Sequence, residues 1–294
     1  MGQNLWSQVK QGAAAGVLAG GYPYAKSNWY VGSGAPIFGM RVDTIKDLFA
    51  IAEPGDIAFL GPGFYNEGNL VLPASLSNFT LIGAGNRGSV GVQSTVVGKE
   101  GIQVKANDIT FINVGIEVED TADYALNVNG NRPGGVGTKN GARFRAYGCK
   151  FEGPTGTVVL LDGDANYQAA DALFDDCEFC WGGSGLVFDD SLFGFPSQVR
   201  VKRSLFHNLT AAGIGEATNG GVVDLWVEDC DFSNLEDATP PTVYVKVDRA
   251  GDTGLITNCR FAVPTNITAR LKIAAGIMWV GNHTEAGETI ARPV

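Results

Sequence analysis

Three carboxylates in the middle of this chain have the types and spacing of a hydrolytic pair. Asp164, Asp190 and Glu216 each follow a recurring phenylalanine, by 13, 11 and 10 positions respectively. If successive repeats stack in space, these side chains form one acidic column. Paired carboxylates cleave glycosidic bonds, one as the general acid and the other as base or nucleophile. Acidic residues also keep an edge-rich β surface from aggregating, so the pattern leaves both roles open.

Five cysteines and two histidines are the other chemically versatile residues. Four of the cysteines occupy one repeat position, which predicts a buried ladder of free thiols; the five are Cys149, Cys177, Cys180, Cys230 and Cys259. Cys177 and Cys180 have CxxC spacing without a second pair, so neither zinc nor redox chemistry is expected, and no metal or cofactor is predicted. His207 and His283 are interpreted as surface or corner residues.

The elements that must position these residues are short strands. A six-residue pattern recurs seven times, with an apolar or small residue, two turn-forming or charged residues, and an apolar-x-apolar triplet. Its closing residues are Leu81, Phe111, Phe151, Phe179, Phe206, Phe232 and Phe261. Alternation with Val, Ile, Thr and Phe favours strands that meet at a two-residue corner. Spacings of 26 to 40 positions indicate a solenoid.

The sequence therefore predicts an all-β fold, a parallel β-solenoid of about seven to nine coils. Asn113, Asn208 and Asn234 follow their phenylalanines by two positions, which predicts a stacked asparagine corner. The spacing of 40 contains the Gly-rich segment 129–141, interpreted as an insertion of about twelve residues. We expect this loop to face outward and to carry recognition; its polar residues are Asn129, Asn131, Arg132, Lys139 and Asn140.

The repeat divides the chain into three parts. Residues 1–41 lack it and carry the aromatic residues Trp6, Tyr22, Tyr24, Trp29 and Tyr30. Such an arm must bury itself on its own solenoid, on a sister subunit or in a larger assembly, and we expect it to anchor the protein. The β-helix spans 42–280, and 281–294 is an extended tail. We expect a partner or a chain crossing to cover the C-terminal end.

The first coil should be closed by a short helix. Asp43 to Ala52 is amphipathic, with Asp43 as a plausible N-cap. Strands are predicted next at Ile57–Leu60, Leu70–Leu72 and Phe79–Ile82. A helix here would cover apolar side chains and strand edges that an open solenoid end exposes.

The charge balance narrows the class of partner. The net charge of −10 and the pI near 4.7 disfavour nucleic acid and anionic membranes. The most basic stretch, Arg200 to Arg203, is interpreted as an outward strand face followed by a turn. Trp181 and Trp226 are the candidate platforms for a glycan, although packing in the wall is the more ordinary role of such residues.

Residues 42–68, with Leu81-Ile82-Gly83 and the later coils, resemble the pectin-lyase-like superfamily of right-handed parallel β-helices. The Gly63-x-Tyr65-x-Glu67 pattern is similar to that of pectin methylesterases. Asp190 to Gly194 loosely resembles their nucleophile motif, which would make Asp190 the nucleophile and Asp176 its acid/base partner. The glutamine-bearing motif of that family is missing.

The order of arm, capping helix, bare β-helix and short tail resembles β-helical virion proteins of tailed bacteriophages, of the tailspike or capsid-decoration type. This resemblance implies a non-enzymatic homotrimer on the particle surface, docked on other virion proteins through its arm, with host-surface glycans as a further contact. The alternative is a polysaccharide depolymerase, on the virion or secreted, that uses Asp164, Asp190 and Glu216.

Overall fold

The computed structural model describes residues 28–32, 39–85, 87–94, 100–119, 124–129, 142–153, 155–163, 169–190, 196–218, 220–233, 241–262 and 267–293. These residues form a right-handed parallel β-solenoid of about eight turns, as the sequence predicts. Each turn contributes one strand to each of three sheets, which we name A, B and C in the order in which the chain visits them. One α-helix, α1 (Ile45–Ile51), occurs in this part of the chain.

Sheet A has eleven strands among the described residues, in spatial order β2 (Met40–Val42), β1 (Asn28–Val31), β3 (Ile57–Leu60), β6 (Thr80–Gly83), β9 (Thr110–Ile112), β12 (Arg145–Tyr147), β15 (Leu173–Asp175), β18 (Arg200–Lys202), β21 (Leu225–Glu228), β24 (Thr253–Thr257) and β27 (Gly276–Val280). Sheet B contains β4 (Gly63–Asn66), β7 (Val90–Ser94), β10 (Gly115–Val118), β13 (Lys150–Glu152), β16 (Glu178–Cys180), β19 (Leu205–His207), β22 (Asp231–Ser233), β25 (Arg260–Phe261) and β28 (His283–Thr284). Sheet C contains β5 (Leu70–Leu72), β8 (Ile102–Val104), β11 (Tyr124–Asn129), β14 (Thr157–Gly163), β17 (Ser184–Asp190), β20 (Ala212–Glu216), β23 (Val243–Val247) and β26 (Leu271–Ile273).

A left-handed residue makes the corner from sheet A to sheet B. In every described coil but one, two residues separate these strands. The first of the two has positive φ in the later coils, at Asn113, Gly148, Asp176, Arg203, Asp229, Asn258 and Gly281. Glycine, asparagine and aspartate tolerate this conformation best, which explains why small polar residues fill the middle of the repeat.

The register of the coils differs from the predicted one for the first two repeats. Phe111 lies in sheet A and pairs with Ala146, whereas Phe151 lies in sheet B and pairs with Phe179. The first two copies therefore span the corner from C to A, and the other five span the corner from A to B. Both corners place a left-handed residue between inward-facing ones, for example Asn78 with φ of 59°, so they share one sequence pattern.

Two expectations change with this register. Phe111 and its partner Ala146 are 35 positions apart, so the insertion after β11 is shorter than the spacing of 40 suggested. The predicted asparagine stack is wrong for Asn113, because this residue lies at the corner between sheets A and B. Its side-chain amide donates a hydrogen bond to Gly83 O at 3.3 Å. Asn208 follows β19 at the corner from B to C, and the equivalent residue of the preceding coil is Trp181.

The interior is a stack of identical side chains. Four phenylalanines of sheet B lie face to face, with ring centroids 4.5 Å apart for Phe179 and Phe206 and 4.8 Å apart for each of the next two pairs, Phe206 with Phe232 and Phe232 with Phe261. All five cysteines are buried and free. The predicted thiol ladder is confirmed for Cys149, Cys177, Cys230 and Cys259, which belong to the main core, whereas Cys180 does not.

Helix α1 closes the first coil, but its N-cap is Thr44 and not Asp43. The Oγ1 of Thr44 accepts a hydrogen bond from Asp47 N at 2.9 Å, and Asp43 instead pairs with Arg41 at 2.7 Å. This start places Ile45, Leu48 and Phe49 on the buried face. No helix of the described residues has the length and apolar character that a membrane crossing requires.

Part of the predicted arm belongs to the solenoid. Strand β1 pairs with β3 in sheet A. Trp29 packs in the core and donates its indole N–H to the fully buried Asp56 at 2.7 Å. Tyr30 points to the other side of the sheet, in a small apolar cluster with Phe59 and Ile82. These two aromatic residues are therefore buried against their own solenoid. Trp6, Tyr22 and Tyr24 lie outside the described residues.

The C-terminal tail crosses the open end of the last coil. A chain crossing was one of the two expected ways of covering this end. After β28 the chain turns back, and Thr289 forms an antiparallel bridge with His283. Ile290 is buried, and its carbonyl accepts a hydrogen bond from the indole of Trp279 at 2.9 Å. Arg292 donates to Ala274 O at 2.8 Å, which ties the tail to the edge of the last coil.

Glu67 anchors the N-terminal cap and gives the first prediction. Its two carboxylate oxygens accept hydrogen bonds from Ile45 N and Lys46 N, both at 2.8 Å. We expect Glu67→Gln to lower the free energy of unfolding by about 1 to 2 kcal/mol, because one charged acceptor at the helix N-terminus is lost. Chemical denaturation measures the change, and the exposed Glu285→Gln is the control. Equal midpoints for both variants would contradict this role.

Candidate functional site

The connections that flank sheet C vary most in length from coil to coil. The corner from A to B is short, but the connections before and after sheet C run to nine or more residues in several coils, for example between β14 and β15 or between β22 and β23. Variable loops on a rigid scaffold commonly carry binding residues. Sheet C, between these two sets of connections, is therefore the candidate position for a binding site.

The outer face of sheet C begins with two buried amides. Gln103 and Asn127 are register partners, 6% and 2% exposed, and each lies between core residues of its strand, which turns it outward. Nε2 of Gln103 and Oδ1 of Asn127 have no hydrogen-bond partner. Buried polar atoms without partners are rare in native proteins, so these amides have hydrogen-bonding capacity to spare.

Carboxyl groups collect where the sheet C strands end. Asp162 of β14 and Asp189 of β17 are register partners, which puts two carboxylates side by side. Glu216 ends β20, and Asp248 follows β23 directly. We call these residues, together with Asp252 at the entrance to β24, the carboxyl edge.

Glu216 is the most perturbed group of the carboxyl edge. It is in register with Phe188, whose side chain is fully buried, so its carboxyl is directed toward the interior. Burial, a hydrogen bond with Asp252 and the charge of Asp252 together raise its pKa to about 9. Asp252 is 2% exposed and also accepts hydrogen bonds from Val222 N at 3.0 Å and Arg249 N at 2.7 Å. Glu216 therefore holds a proton at neutral pH and donates it to Asp252.

Of the three predicted carboxylates, Asp190 ends β17 and Glu216 ends β20, but these two residues are not register partners. Glu216 pairs with Phe188, and the backbone of Asp190 pairs with Gly163. Asp164 lies outside the described residues. The pairing of Asp162 with Asp189, and the partnership of Glu216 with Asp252, were not found from sequence, because they depend on the register of the sheet.

The residues of the methylesterase-like pattern have structural roles here. The hydroxyl of Tyr65 donates to Val31 O at 2.7 Å, and Glu67 caps α1. Asp176 sits in the corner from A to B, where it pairs with Arg87. Asp190 belongs to sheet C, at a different corner of the coil, so the structure does not bring these two aspartates together. A cavity of about 330 Å³ beside Tyr65 is lined also by Gly32, Arg41, Asp43, Pro62 and Phe64.

The other predicted contact residues are dispersed. Trp181 and Trp226 are 40% and 41% exposed but lie on different faces, at the corner from B to C and on sheet A. Asn129 ends β11, while Asn131, Arg132, Lys139 and Asn140 lie outside the described residues. The basic stretch is an outward strand face, as interpreted, with Lys202 paired to Glu228 at 2.8 Å.

A second polar cluster lies on the outer face of sheet B and overturns the surface interpretation of His207. His207 is 6% exposed, and its Nε2 lies 3.0 Å from Glu178 Oε1. The hydrogen bond with His207 lowers the pKa of Glu178. Burial raises the pKa of the neighbouring Cys180 thiol well above its usual range, so this thiol is not an activated nucleophile.

Comparisons with known proteins identify the fold. The chain matches no protein-family model and no curated protein in sequence. Among solved structures it is similar to Escherichia coli YbhC, with a TM-score of 0.62 and 12% identity over 90% of this chain and 86% of that one. It is also similar to the deglycosylated pectin methylesterase of Aspergillus niger, with a TM-score of 0.57 and 17% identity over 92% of each chain. The fold is the pectin-lyase-like β-helix.

The titration of Glu216 gives the second prediction. A carboxyl whose pKa is raised on folding stabilises the folded state fully below its unfolded pKa, and this contribution is lost as pH rises toward the folded value. The stability of the wild type relative to Glu216→Gln should therefore fall as pH rises from about 4.5 to about 9. Urea denaturation across this range measures the difference.

Asp252→Asn supplies the control for this titration. Without the Asp252 carboxylate, the pKa of Glu216 should fall, so the stability difference between Asp252→Asn and the double variant with Glu216→Gln should level off at a lower pH. A difference that is flat with pH in the wild-type background would contradict a protonated Glu216.

Proposed function

We propose that this protein processes a polysaccharide at the carboxyl edge, where the sheet C strands end, with Glu216 as the proton donor. The observation that carries the proposal is the Glu216–Asp252 pair, a carboxyl with a pKa of about 9 held against a buried carboxylate. A general acid must be protonated at the working pH and must lie beside a group that can accept or replace its proton. Likeness in fold to pectin methylesterases supports a carbohydrate as the substrate.

Cleavage of a glycosidic bond needs a second carboxylate in addition to the acid. The carboxyl edge offers Asp189 and its register partner Asp162. Asp190 ends the same strand as Asp189, and Asp164 follows β14 directly. We assign the base or nucleophile to this group of aspartates.

Charge sets the class of polysaccharide. A net charge of −10 and several carboxylates at the carboxyl edge repel a polyanion. The proposed substrate is accordingly a neutral or esterified polysaccharide that lies along the strand ends of sheet C.

The test is an activity screen of the whole chain on neutral, esterified and acidic polysaccharides, and it is the third prediction. Release of reducing ends, formation of unsaturated ends and release of methanol separate hydrolase, lyase and esterase reactions. For the reaction found, Glu216→Gln should lower kcat by about 10²- to 10⁴-fold, because the proton donor is lost. Activity should also fall as pH rises through about 9, where Glu216 ionises.

Glu228→Gln is the matched control for this screen. Glu228 lies on the outer face of sheet A, where it pairs with Lys202, so its loss should leave kcat unchanged. Absence of product from every polysaccharide, or a Glu216→Gln variant as active as the wild type, would remove the proposal.

A structural role on a virion is the second candidate, favoured by one surface. Trp226, Leu255 and Met278 are consecutive register partners on the outer face of sheet A. Trp226 is 41% and Met278 is 60% exposed, and the neighbouring Val280 is 55% exposed. An exposed apolar strip of this kind suits protein contact. Side-by-side packing of three β-helices through it, with residues 1–27 docked on other virion proteins, would give the homotrimer implied by the resemblance to phage proteins.

The native mass in solution tests this candidate and is the fourth prediction. If the strip is a trimer contact, light scattering should give a trimer for the full chain and a monomer for the Trp226→Ser/Met278→Ser double variant. Ile51→Ser, which removes a side chain 51% exposed on α1, should leave the trimer intact. A monomeric wild type would exclude the trimer and leave secretion, rather than the virion, as the proposed location.

A further inference from the structure

The cluster on the outer face of sheet B consists of Glu178, Cys180 and His207. Glu178 and Cys180 stand on either side of Phe179 in β16, and Phe179 points into the core. Alternation along the strand therefore turns both residues outward. The register then places His207 of β19 directly beside Cys180. Two neighbouring strands thus bring a carboxylate, a thiol and an imidazole together on one side of sheet B, with the thiol and the imidazole buried.

These three groups are close enough to share one ligand. A carboxylate oxygen of Glu178, Sγ of Cys180 and a ring nitrogen of His207 all lie within 4.8 Å of one another. The closest approach, Nε2 of His207 to Oε1 of Glu178, is 3.0 Å. Donor atoms that bind one zinc ion at about 2.0 to 2.3 Å in tetrahedral geometry are about 3.2 to 3.8 Å apart, so the cluster needs only a small contraction.

The cluster also has unused hydrogen-bonding capacity. The His207 side chain is 7% exposed, and its Nδ1 has no hydrogen-bond partner. Ser233, the next register partner of His207, is 4% exposed, and its Oγ is also unpaired. Two unpaired polar atoms in adjacent buried positions are unusual in a merely structural patch. A histidine that binds a metal through one nitrogen usually donates from the other, and Ser233 lies in the right register to accept.

Two positively charged side chains, Lys150 and Arg87, act on Glu178, and each has an acidic partner. Lys150, the register partner of Glu178, is neutralised by Glu152 at 2.7 Å. Arg87 is paired with Asp176. A thiolate and the Glu178 carboxylate together balance a divalent ion. Glu178 is 21% exposed, which leaves a route for the ion from solvent.

We propose that Glu178, Cys180 and His207 form a binding site for one divalent transition-metal ion of the zinc type. Sulfur, imidazole nitrogen and carboxylate oxygen are the ligand set that zinc prefers, and three protein ligands leave a fourth position for water or another oxygen. On binding, Cys180 releases its proton to solvent and binds as the thiolate. Cys177, the other half of the CxxC spacing, belongs to the core ladder and takes no part.

Metal binding by the full-length chain is the test and the fifth prediction. After treatment with a chelator, the protein is titrated with Zn²⁺ in a calorimeter and with Co²⁺ in a spectrophotometer. We expect one tight site per chain, release of protons on binding, and a thiolate-to-cobalt charge-transfer band. Cys180→Ser should abolish that band, and His207→Ala and Glu178→Gln should each weaken Zn²⁺ binding by about tenfold or more.

Cys230→Ser is the matched control, because the thiol ladder already has a serine, Ser204, at an equivalent position. This variant should bind Zn²⁺ and show the cobalt band like the wild type. No bound metal, or Zn²⁺ binding that is the same in Cys180→Ser and Glu178→Gln as in the wild type, would overturn the proposal. Weak binding spread over several ions per chain would assign the metal to surface carboxylates and overturn it equally. None of these readouts depends on activity toward polysaccharides.

Discussion

Every strand of this protein lies in parallel register on the equivalent strand of the next coil, and the rest of the structure depends on that spacing. Neighbouring strands of a sheet are about 4.8 Å apart, so whatever occupies one position must tolerate a similar residue directly above and below it. Aromatic rings satisfy this condition by stacking, and the phenylalanines of sheet B have centroid distances of 4.5 to 4.8 Å. Small apolar thiols satisfy it at the adjacent corner.

The same spacing makes charged positions costly unless they alternate in sign. On the outer faces the chain meets this demand by pairing coil with coil, as Lys202 pairs with Glu228 and Arg143 with Asp108. The carboxyl edge departs from the rule. The carboxyl of Glu216 lies against that of Asp252, and the charge of Asp252 contributes to the raised pKa of Glu216. Departures from local consistency concentrate at functional sites, which is why the carboxyl edge carries the proposed function.

Sheets B and C thus present two kinds of chemistry from one scaffold. At the carboxyl edge, burial holds a proton on Glu216, which suits transfer to a leaving group. On sheet B, a thiol, an imidazole and a carboxylate converge on a space the size of one ion. The two sites share no residue. A metal on sheet B would cross-link β16 and β19, and so would add stability to the middle coils whatever reaction occurs at sheet C.

Sequence by itself determined the fold class, the stacked thiols, the ends of the capping helix to within two residues, and the bounds of β3 and β5. These features were predictable because alternation of buried and exposed residues, and left-handed residues at the corners, leave a strong local pattern. Sequence did not determine register: two corners of the coil share one pattern, and a shift between them moved Phe111 from sheet B to sheet A. Register in turn decided that Glu216 points inward beside Asp252, and that His207 is buried beside Cys180. Both sites join residues from different coils. Only the tertiary structure brings them together, because contacts between coils depend on the length of each whole coil and not on any local run of residues.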